Sequence, residues 1–324
     1  MEMFKEVKKY IEDANTIVLA AHIRPDGDAI GSLGAMYGFL KQIGKEVYML
    51  IPVPSKKMEF MPYANEIVES VPLKEYDLLI TLDSSAPDRL AISKEDKAKA
   101  KKVIVIDHHR NNRIDGDYKL VVETAPANCE IIADLLEYME CNITQEIADY
   151  IYLGLMTDTG SFNYERTTAK TYRIAAKMLE YKARFAEICK RINDTHSEAK
   201  MKLTAAVIES IESYLNGRLR IAVLDKEKVK KYDVTDEELD GLVNYVRAIE
   251  NTLLAVYIRP LQDGSYKVSM RAEEPVDASA IAKMYNGGGH MRAAGFETLN
   301  VEKTKKELLE FVERLLESES NGNT

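Results

Sequence analysis

His22, Asp26 and Asp28 fall close together in His22-Ile23-Arg24-Pro25-Asp26-Gly27-Asp28. Further Asp and His residues stand in Asp83-Ser84-Ser85, Asp107-His108-His109-Arg110 and Met156-Thr157-Asp158-Thr159-Gly160. If these segments meet, several carboxylates crowd one partly dry site. Such crowding is relieved by protonation, by buried basic partners or by bound cations. Cations suit the residue types best. Asp and His with no thiolate among them are hard or borderline ligands, which favours Mn²⁺ or Mg²⁺ over structural zinc. Asp26, Asp28, Asp83 and Asp158 would balance two divalent ions. Such a pair clamps the attacking and leaving oxygens of an in-line displacement at phosphorus. The chemistry indicated is phosphoester hydrolysis.

The elements around these residues bring them together. Short apolar runs at Thr16 to Ala21, Val47 to Ile51, Leu78 to Leu82 and Val103 to Ile106 read as buried strands. Helical patterns such as Leu33 to Ile43 lie between them, so the first part is α/β, a mostly parallel sheet with helices on both faces. Three of the four motifs follow strands, and ligands of parallel sheets bind beyond the carboxyl ends of the strands. Each segment has an ordinary explanation by itself. Asp28, for instance, precedes a helical stretch and could be only its N-cap. The ordinary explanations fail jointly, because three of the five His residues lie in these segments and a fourth, His290, in a glycine-rich motif.

Helical periodicity takes over from Glu130 to Tyr181, with a polar interruption at Thr157 to Thr168. Residues 183–215, free of Gly and Pro until Asn216-Gly217, read as a helical connector between residues 1–182 and 216–324. Strands follow at Leu219 to Leu224, Leu253 to Ile258, Tyr266 to Ala272 and Gly295 to Leu299, with a hairpin turn at Gln262-Asp263-Gly264-Ser265. They make a smaller α+β domain, closed by an amphipathic helix from Glu302 to Glu317 and a frayed Ser318 to Thr324.

Composition bounds the rest. At 324 residues, two domains are the default. The formal net charge of -9 argues against a surface that grips long nucleic acid. Cys129, Cys141 and Cys189 are odd in number and lack CxxC spacing, so a disulfide framework and a thiolate zinc site are both disfavoured. No export signal or long apolar run is visible, and the expected location is the cytoplasm with no membrane partner. A homodimer is admitted by the sequence and not required by it.

His22-x-x-Pro25-Asp26-x-Asp28, Asp83-Ser84-Ser85, Asp107-His108-His109 and Thr157-Asp158-Thr159 resemble, in order, the four motifs of the DHH phosphoesterases. Gly287-Gly288-Gly289-His290-x-x-Ala293-Ala294-Gly295, preceded by Val268-Ser269-Met270-Arg271, resembles the DHH-associated domain of the NrnA-type oligoribonucleases and 3'-phosphoadenosine-5'-phosphate phosphatases. The resemblance spans roughly residues 15–300. It implies that His22 and Asp26 hold one metal ion. Asp28, His108 and Asp158 would hold the other, with Asp83 bridging the two. Asp107 would orient the site, while His109 would contact a phosphoryl oxygen or protonate the leaving group, and Arg110 would meet phosphate.

The run Gly287, Gly288 and Gly289 reads as an anion-binding nest of backbone N–H groups, with Arg271 and His290 adding charge-assisted hydrogen bonds. Substrate would then sit in a cleft between domains, with a hinge in the connector. One compact phosphate loop on an acidic chain suits a substrate of a few nucleotides. The resemblance implies short 5'-phosphorylated RNA, pApA and 3'-phosphoadenosine 5'-phosphate, with Mn²⁺ favoured. A cyclic-di-AMP phosphodiesterase is the competing enzyme, and a non-catalytic nucleotide sensor the reading from another class. A processive RecJ-like exonuclease would need further nucleic-acid-binding sequence, and a manganese pyrophosphatase would not need the Gly287 to His290 run.

Overall fold

The chain divides into two compact units, Met1–Thr195 and His196–Thr324. The computed structural model describes residues 2–51, 58–232 and 234–322.

In the first unit α1 (Glu2–Asp13) turns Phe4, Val7 and Ile11 onto the core. The unalternating run of β1 (Thr16–Ala20) is buried from Ile17 onward, as a central parallel strand requires. It leads into α2 (Gly27–Gln42), then β2 (Glu46–Leu50), β3 (Ile67–Val68), β4 (Tyr76–Leu82), α3 (Lys94–Ala98), β5 (Ala100–Asp107) and β6 (Tyr118–Val121). Every pairing in this sheet is parallel, in the order β3-β2-β1-β4-β5-β6. The chain winds outward in both directions from β1 and β4, which makes their boundary the switch point where a crevice opens beyond the strand ends.

Three helices complete the main layer: α4 (Asn128–Tyr138), α5 (Gln145–Asp158) and α6 (Ala169–Glu180). The core beneath them includes Ile17, Leu19, Ile80, Ile104 and Ile106 from one face of the sheet. The opposite face, with Val18, Ala20 and Leu79, has a thinner cover from connecting segments and α3, to which the Tyr76 hydroxyl is tied through the Asp96 carbonyl. Helix α2 is buried from Gly27 to Leu40 because α5 lies directly on it. A side chain in place of Gly31 or Gly34 would strike Tyr150.

Residues 183–215 do not form one helix. The segment runs as α7 (Phe185–Cys189), a π turn at Lys190–Asp194, α8 (Glu198–Glu209) and β7 (Glu212–Tyr214), and the division between units falls inside it. In this turn Asn193 Nδ2 donates to Ser161 Oγ at 2.9 Å and contacts Met156 Sδ at 3.8 Å.

The second unit continues through β8 (Leu219–Val223), α9 (Lys226–Lys231), α10 (Asp236–Leu239), α11 (Val243–Arg247), β9 (Leu254–Pro260), β10 (Tyr266–Ala272), α12 (Ala278–Met284), β11 (Gly288–His290), β12 (Ala293–Thr298) and α13 (Val301–Gly322). Its mixed sheet has the order β11-β12-β10-β9-β8-β7. One face packs on α12 and α13, the other on α8 and α11. The expected hairpin turn joins β9 to β10, with Gly264 at φ +91°. The terminal helix extends past Glu317 to Gly322 where fraying was expected, and residues 323 and 324 lie outside the described residues. Among the described residues no helix is long and apolar enough to cross a membrane.

Candidate metal centre

The four motifs of the first unit converge. His22 and Asp26 follow β1, Asp28 sits in the first turn of α2, Asp83 follows β4, Asp107 ends β5 with His108 and His109 beyond it, and Asp158 ends α5. Asp26, not Asp28, caps α2: its Oδ1 accepts from the Asp28 and Ala29 amides at 3.1 Å each. The reason is that the helix begins at Gly27, one residue before Asp28. Asp26 Oδ2 remains turned to His22 Nε2 at 3.8 Å, so one carboxylate both caps a helix and faces the cluster.

Asp83 is the centre of the arrangement. It is 2% exposed and adopts a left-handed backbone at φ +50°, which Asp tolerates better than most side chains. Its Oδ2 lies 3.8 Å from His22 Nε2, while its Oδ1 lies 3.3 Å from His108 Nε2 and 3.6 Å from His109 Nδ1. His108 Nε2 is also 3.3 Å from Asp158 Oδ2 and 3.8 Å from Asp28 Oδ2. Two trios result, His22 with Asp26 and Asp83, and Asp28 with His108 and Asp158, each compact enough to surround an ion. A third trio joins Asp83, His108 and His109.

Each imidazole is held through Nδ1. His22 Nδ1 meets the Ile23 carbonyl at 2.9 Å, His108 Nδ1 the Ala125 carbonyl at 3.2 Å, and His109 Nδ1 the Asp107 carboxylate at 2.8 Å. A carbonyl only accepts, so these contacts place a proton on Nδ1 of His22 and His108 and leave Nε2 of each as the atom that faces the acids. Asp107, fully buried, also accepts from Asn112 Nδ2 at 2.6 Å, which suits an orienting role.

Burial is the first cause of the shifted acids. It raises Asp28, with the Asp26 charge adding to it and with His108 and the Cys129 and Asn128 amides opposing. It raises Asp83 well above the carboxylate range with the help of Asp28 and Asp26, and takes Asp158 to about 9 with the help of Asp28, Asp83 and Asp26. At Asp26 burial is outweighed by the hydrogen bond and charge of His22, and the pKa falls. At His22 burial, which opposes the charged form, is outweighed by Asp26, the Ile23 carbonyl and Asp83, and the pKa rises. At Asp107 burial is outweighed by His109, and the pKa falls.

The residues present fit divalent cations. Among the described residues Asp83 Oδ1 and His108 Nε2 are both buried without a hydrogen-bond partner, two acceptor atoms 3.3 Å apart. An oxygen and nitrogen donor set around such a gap is what a hard or borderline cation takes.

Several contributors carry no signal in the motifs. The Asn128 and Cys129 amides at the start of α4 donate to Asp28 Oδ2 and Oδ1, at 2.5 and 2.9 Å. Helix starts are ready anion holders, so Pro126-Ala127-Asn128 ahead of an apolar run was a readable clue. The Ala125 carbonyl offered none.

Arg110 is exposed in the turn after His109, beside the cluster in sequence. The remaining expected substrate residues belong to the second unit. Arg271 lies on β10 and donates to the Met270 carbonyl at 3.0 Å. Gly288, Gly289 and His290 form the edge strand β11, paired with Gly295, Ala294 and Ala293 of β12, so the glycine run is not the looped nest expected. Extended residues send successive N–H groups to opposite sides. Gly287 and Gly289 are instead required by close packing, since a Cβ at either would collide with β12.

Residues 16–155 match the N-terminal domain of the DHH family, and residues 216–318 match the DHHA1 domain. Over 315 residues the chain is 32% identical to the bifunctional oligoribonuclease and PAP phosphatase NrnA of Thermus thermophilus, covering 96% of this chain and 93% of that protein. This chain belongs to the DHH family. A second DHH relative, the bifunctional oligoribonuclease and PAP phosphatase NrnA of Bacillus subtilis, is 28% identical over 90% of this chain and 92% of its own. An exopolyphosphatase-related protein from Bacteroides fragilis superposes with a TM-score of 0.89 at 26% identity, covering 98% of each chain. The DHH match takes in the first three motifs and stops before Asp158, whose place in the cluster is a matter of geometry.

Proposed function

We propose that this DHH phosphoesterase hydrolyses short 5'-phosphorylated oligoribonucleotides such as pApA to mononucleotides, and 3'-phosphoadenosine 5'-phosphate to AMP, using two Mn²⁺ ions in the cytoplasm. The observation that carries this reading is Asp83, which belongs to the trio of His22 and Asp26 and lies 3.3 Å from His108 of the other trio, on a chain that aligns almost end to end with relatives named for those two activities.

Both substrates present the same bond. Water adds at phosphorus, the bond from phosphorus to the 3' oxygen breaks, and that oxygen takes a proton. The products are mononucleotides from pApA, and AMP with inorganic phosphate from 3'-phosphoadenosine 5'-phosphate. His22, Asp26 and Asp83 would hold one ion, and Asp28, Asp83, His108 and Asp158 the other. When bound, the ions supply Lewis acidity and a nucleophile near neutral pH. His109 is 42% exposed with Nδ1 held by Asp107, which leaves Nε2 as the atom able to hand a proton to the leaving 3' oxygen.

Residues 1–182 carry catalysis in this reading and residues 216–324 carry substrate binding. Arg110, Arg271 and His290 contact phosphate, and within the Gly287, Gly288 and Gly289 run it is Gly288 that admits close approach of the substrate to the backbone. Gly288 faces open space, which supports that assignment.

Product chromatography with Mn²⁺ tests the reading on pApA, 5'-phosphorylated pentanucleotide RNA, 3'-phosphoadenosine 5'-phosphate, cyclic di-AMP and pyrophosphate. AMP from the linear substrates, with cyclic di-AMP and pyrophosphate intact, is the expected result. Preferential turnover of cyclic di-AMP would reassign the enzyme to cyclic dinucleotides. Metal binding without turnover of any substrate would make it a sensor.

A further inference from the structure

We infer that Arg166 is a positioning residue for one half of the metal centre, acting on His108 through the carbonyl of Ala125. The inference rests on the two-ion reading above. Arg166 is exposed, eight residues beyond Asp158, and its Nη2 donates to the Ala125 carbonyl at 2.7 Å and to the Glu123 carbonyl at 2.6 Å. The same Ala125 oxygen accepts from His108 Nδ1 at 3.2 Å. One carbonyl, with two lone pairs, therefore joins a guanidinium to the ring of a ligand candidate.

That carbonyl sets which nitrogen of His108 carries the proton and where Nε2 lies against Asp28, Asp83 and Asp158. Three residues further on, the Asn128 and Cys129 amides hold Asp28. Residues 125–129 thus orient two of the three members of the Asp28, His108 and Asp158 trio while contributing no side-chain ligand. Arg166 fastens this segment to the loop that follows Asp158, the third member.

The other trio is held differently. The ring of His22 is fixed by its neighbour Ile23, and Asp26 by the first turn of α2. Among the hydrogen bonds and ion pairs of the described residues, none joins Arg166 to His22, Asp26 or Asp83. A surface arginine that merely capped loop carbonyls would alter melting temperature and leave the two ions alike. An arginine acting through Ala125 affects one ion and spares the other.

The experiment is a calorimetric Mn²⁺ titration of the metal-stripped full chain, comparing wild type, Arg166→Ala and Arg166→Lys, with a melting curve of each metal-free protein. Outer groups that orient a metal-bound His typically matter about 10–100-fold in affinity. The expected result is two ions in wild type. Arg166→Ala should bind one ion unchanged and the other roughly 10–100-fold more weakly, with partial recovery in Arg166→Lys. If Arg166→Ala does not fold, Arg166→Gln, which keeps an amide donor, is titrated in its place. Equal weakening of both ions, or none, overturns the inference and leaves the two-ion reading standing. Fewer than two ions in wild type overturns the two-ion reading itself.

Discussion

Asp83 Oδ1 and His108 Nε2 lie 3.3 Å apart, both buried, and neither finds a hydrogen-bond partner among the described residues. With the His108 proton held on Nδ1 by Ala125, the two facing atoms are both acceptors. Their approach is unfavourable unless a cation lies between them or the acid is protonated, and burial, with the Asp28 and Asp26 charges, raises the Asp83 pKa toward the protonated form.

Because Asp83 also faces His22 through its other oxygen, its loss should disturb both trios. Asp83→Ala is expected to lower the rate of AMP release from pApA by on the order of 10²–10³ or more, and to reduce the number of Mn²⁺ ions bound. Unchanged turnover in a folded variant would sink the shared-carboxylate arrangement.

The raised acids make metal-free stability depend on pH with a definite sign. Asp158 titrates at about 9 in the fold against 3.8 ordinarily, so the native state holds an extra proton across that window. The resulting stabilisation is complete below the ordinary value and is lost as pH rises toward 9. Asp28 and Asp83 shift the same way, while Asp26 and Asp107 shift oppositely and act only at the acid end. In EDTA the melting temperature should fall as pH climbs through the window, and saturating Mn²⁺ should remove most of the fall. A flat profile in EDTA would count against the cluster as described.

His109 is separable from the ligands. His109→Gln should reduce kcat on pApA by about 10²–10⁴ with both ions still bound, and Asp107→Asn should reduce it less. Loss of an ion in His109→Gln would instead make His109 a ligand, as its trio with Asp83 and His108 permits.

Gly154 on α5 faces Cys129 and the Asp28 carboxylate so closely that a Cβ would strike both. Gly154→Ala should cost about 1–3 kcal/mol by overpacking, read as a lower midpoint in urea. It should also weaken one Mn²⁺ ion in the titration. A variant as stable as wild type would mean that α2 and α5 separate at little cost.

Much of the first unit was legible in the sequence. Uninterrupted apolar runs marked β1, β2, β4 and β5, because a strand buried on both faces has no polar side to alternate with. The ligand candidates were legible too, since Asp and His beyond such strands have few structural uses in combination. The two-residue β3 and the half-exposed β6 carry no run to recognise. Helical composition in the connector could not reveal the π turn at Lys190–Asp194 or the break before α8. The glycine run was misread as a loop because glycine says that something approaches closely, and not whether it is a ligand or, as at β12, a neighbouring strand.

Residue types, their order and the parallel sheet that gathers them are local properties, and the sequence alone determined them. What orients the cluster was decided by the tertiary structure. Ala125 meets His108 across 17 residues, Arg166 meets Ala125 across 41, and Cys129 meets Asp28 across 101. Each of these contacts has a backbone atom as one partner, and nearly every residue carries the same amide and carbonyl. No side-chain pattern can announce which of them a fold will bring to a carboxylate or an imidazole.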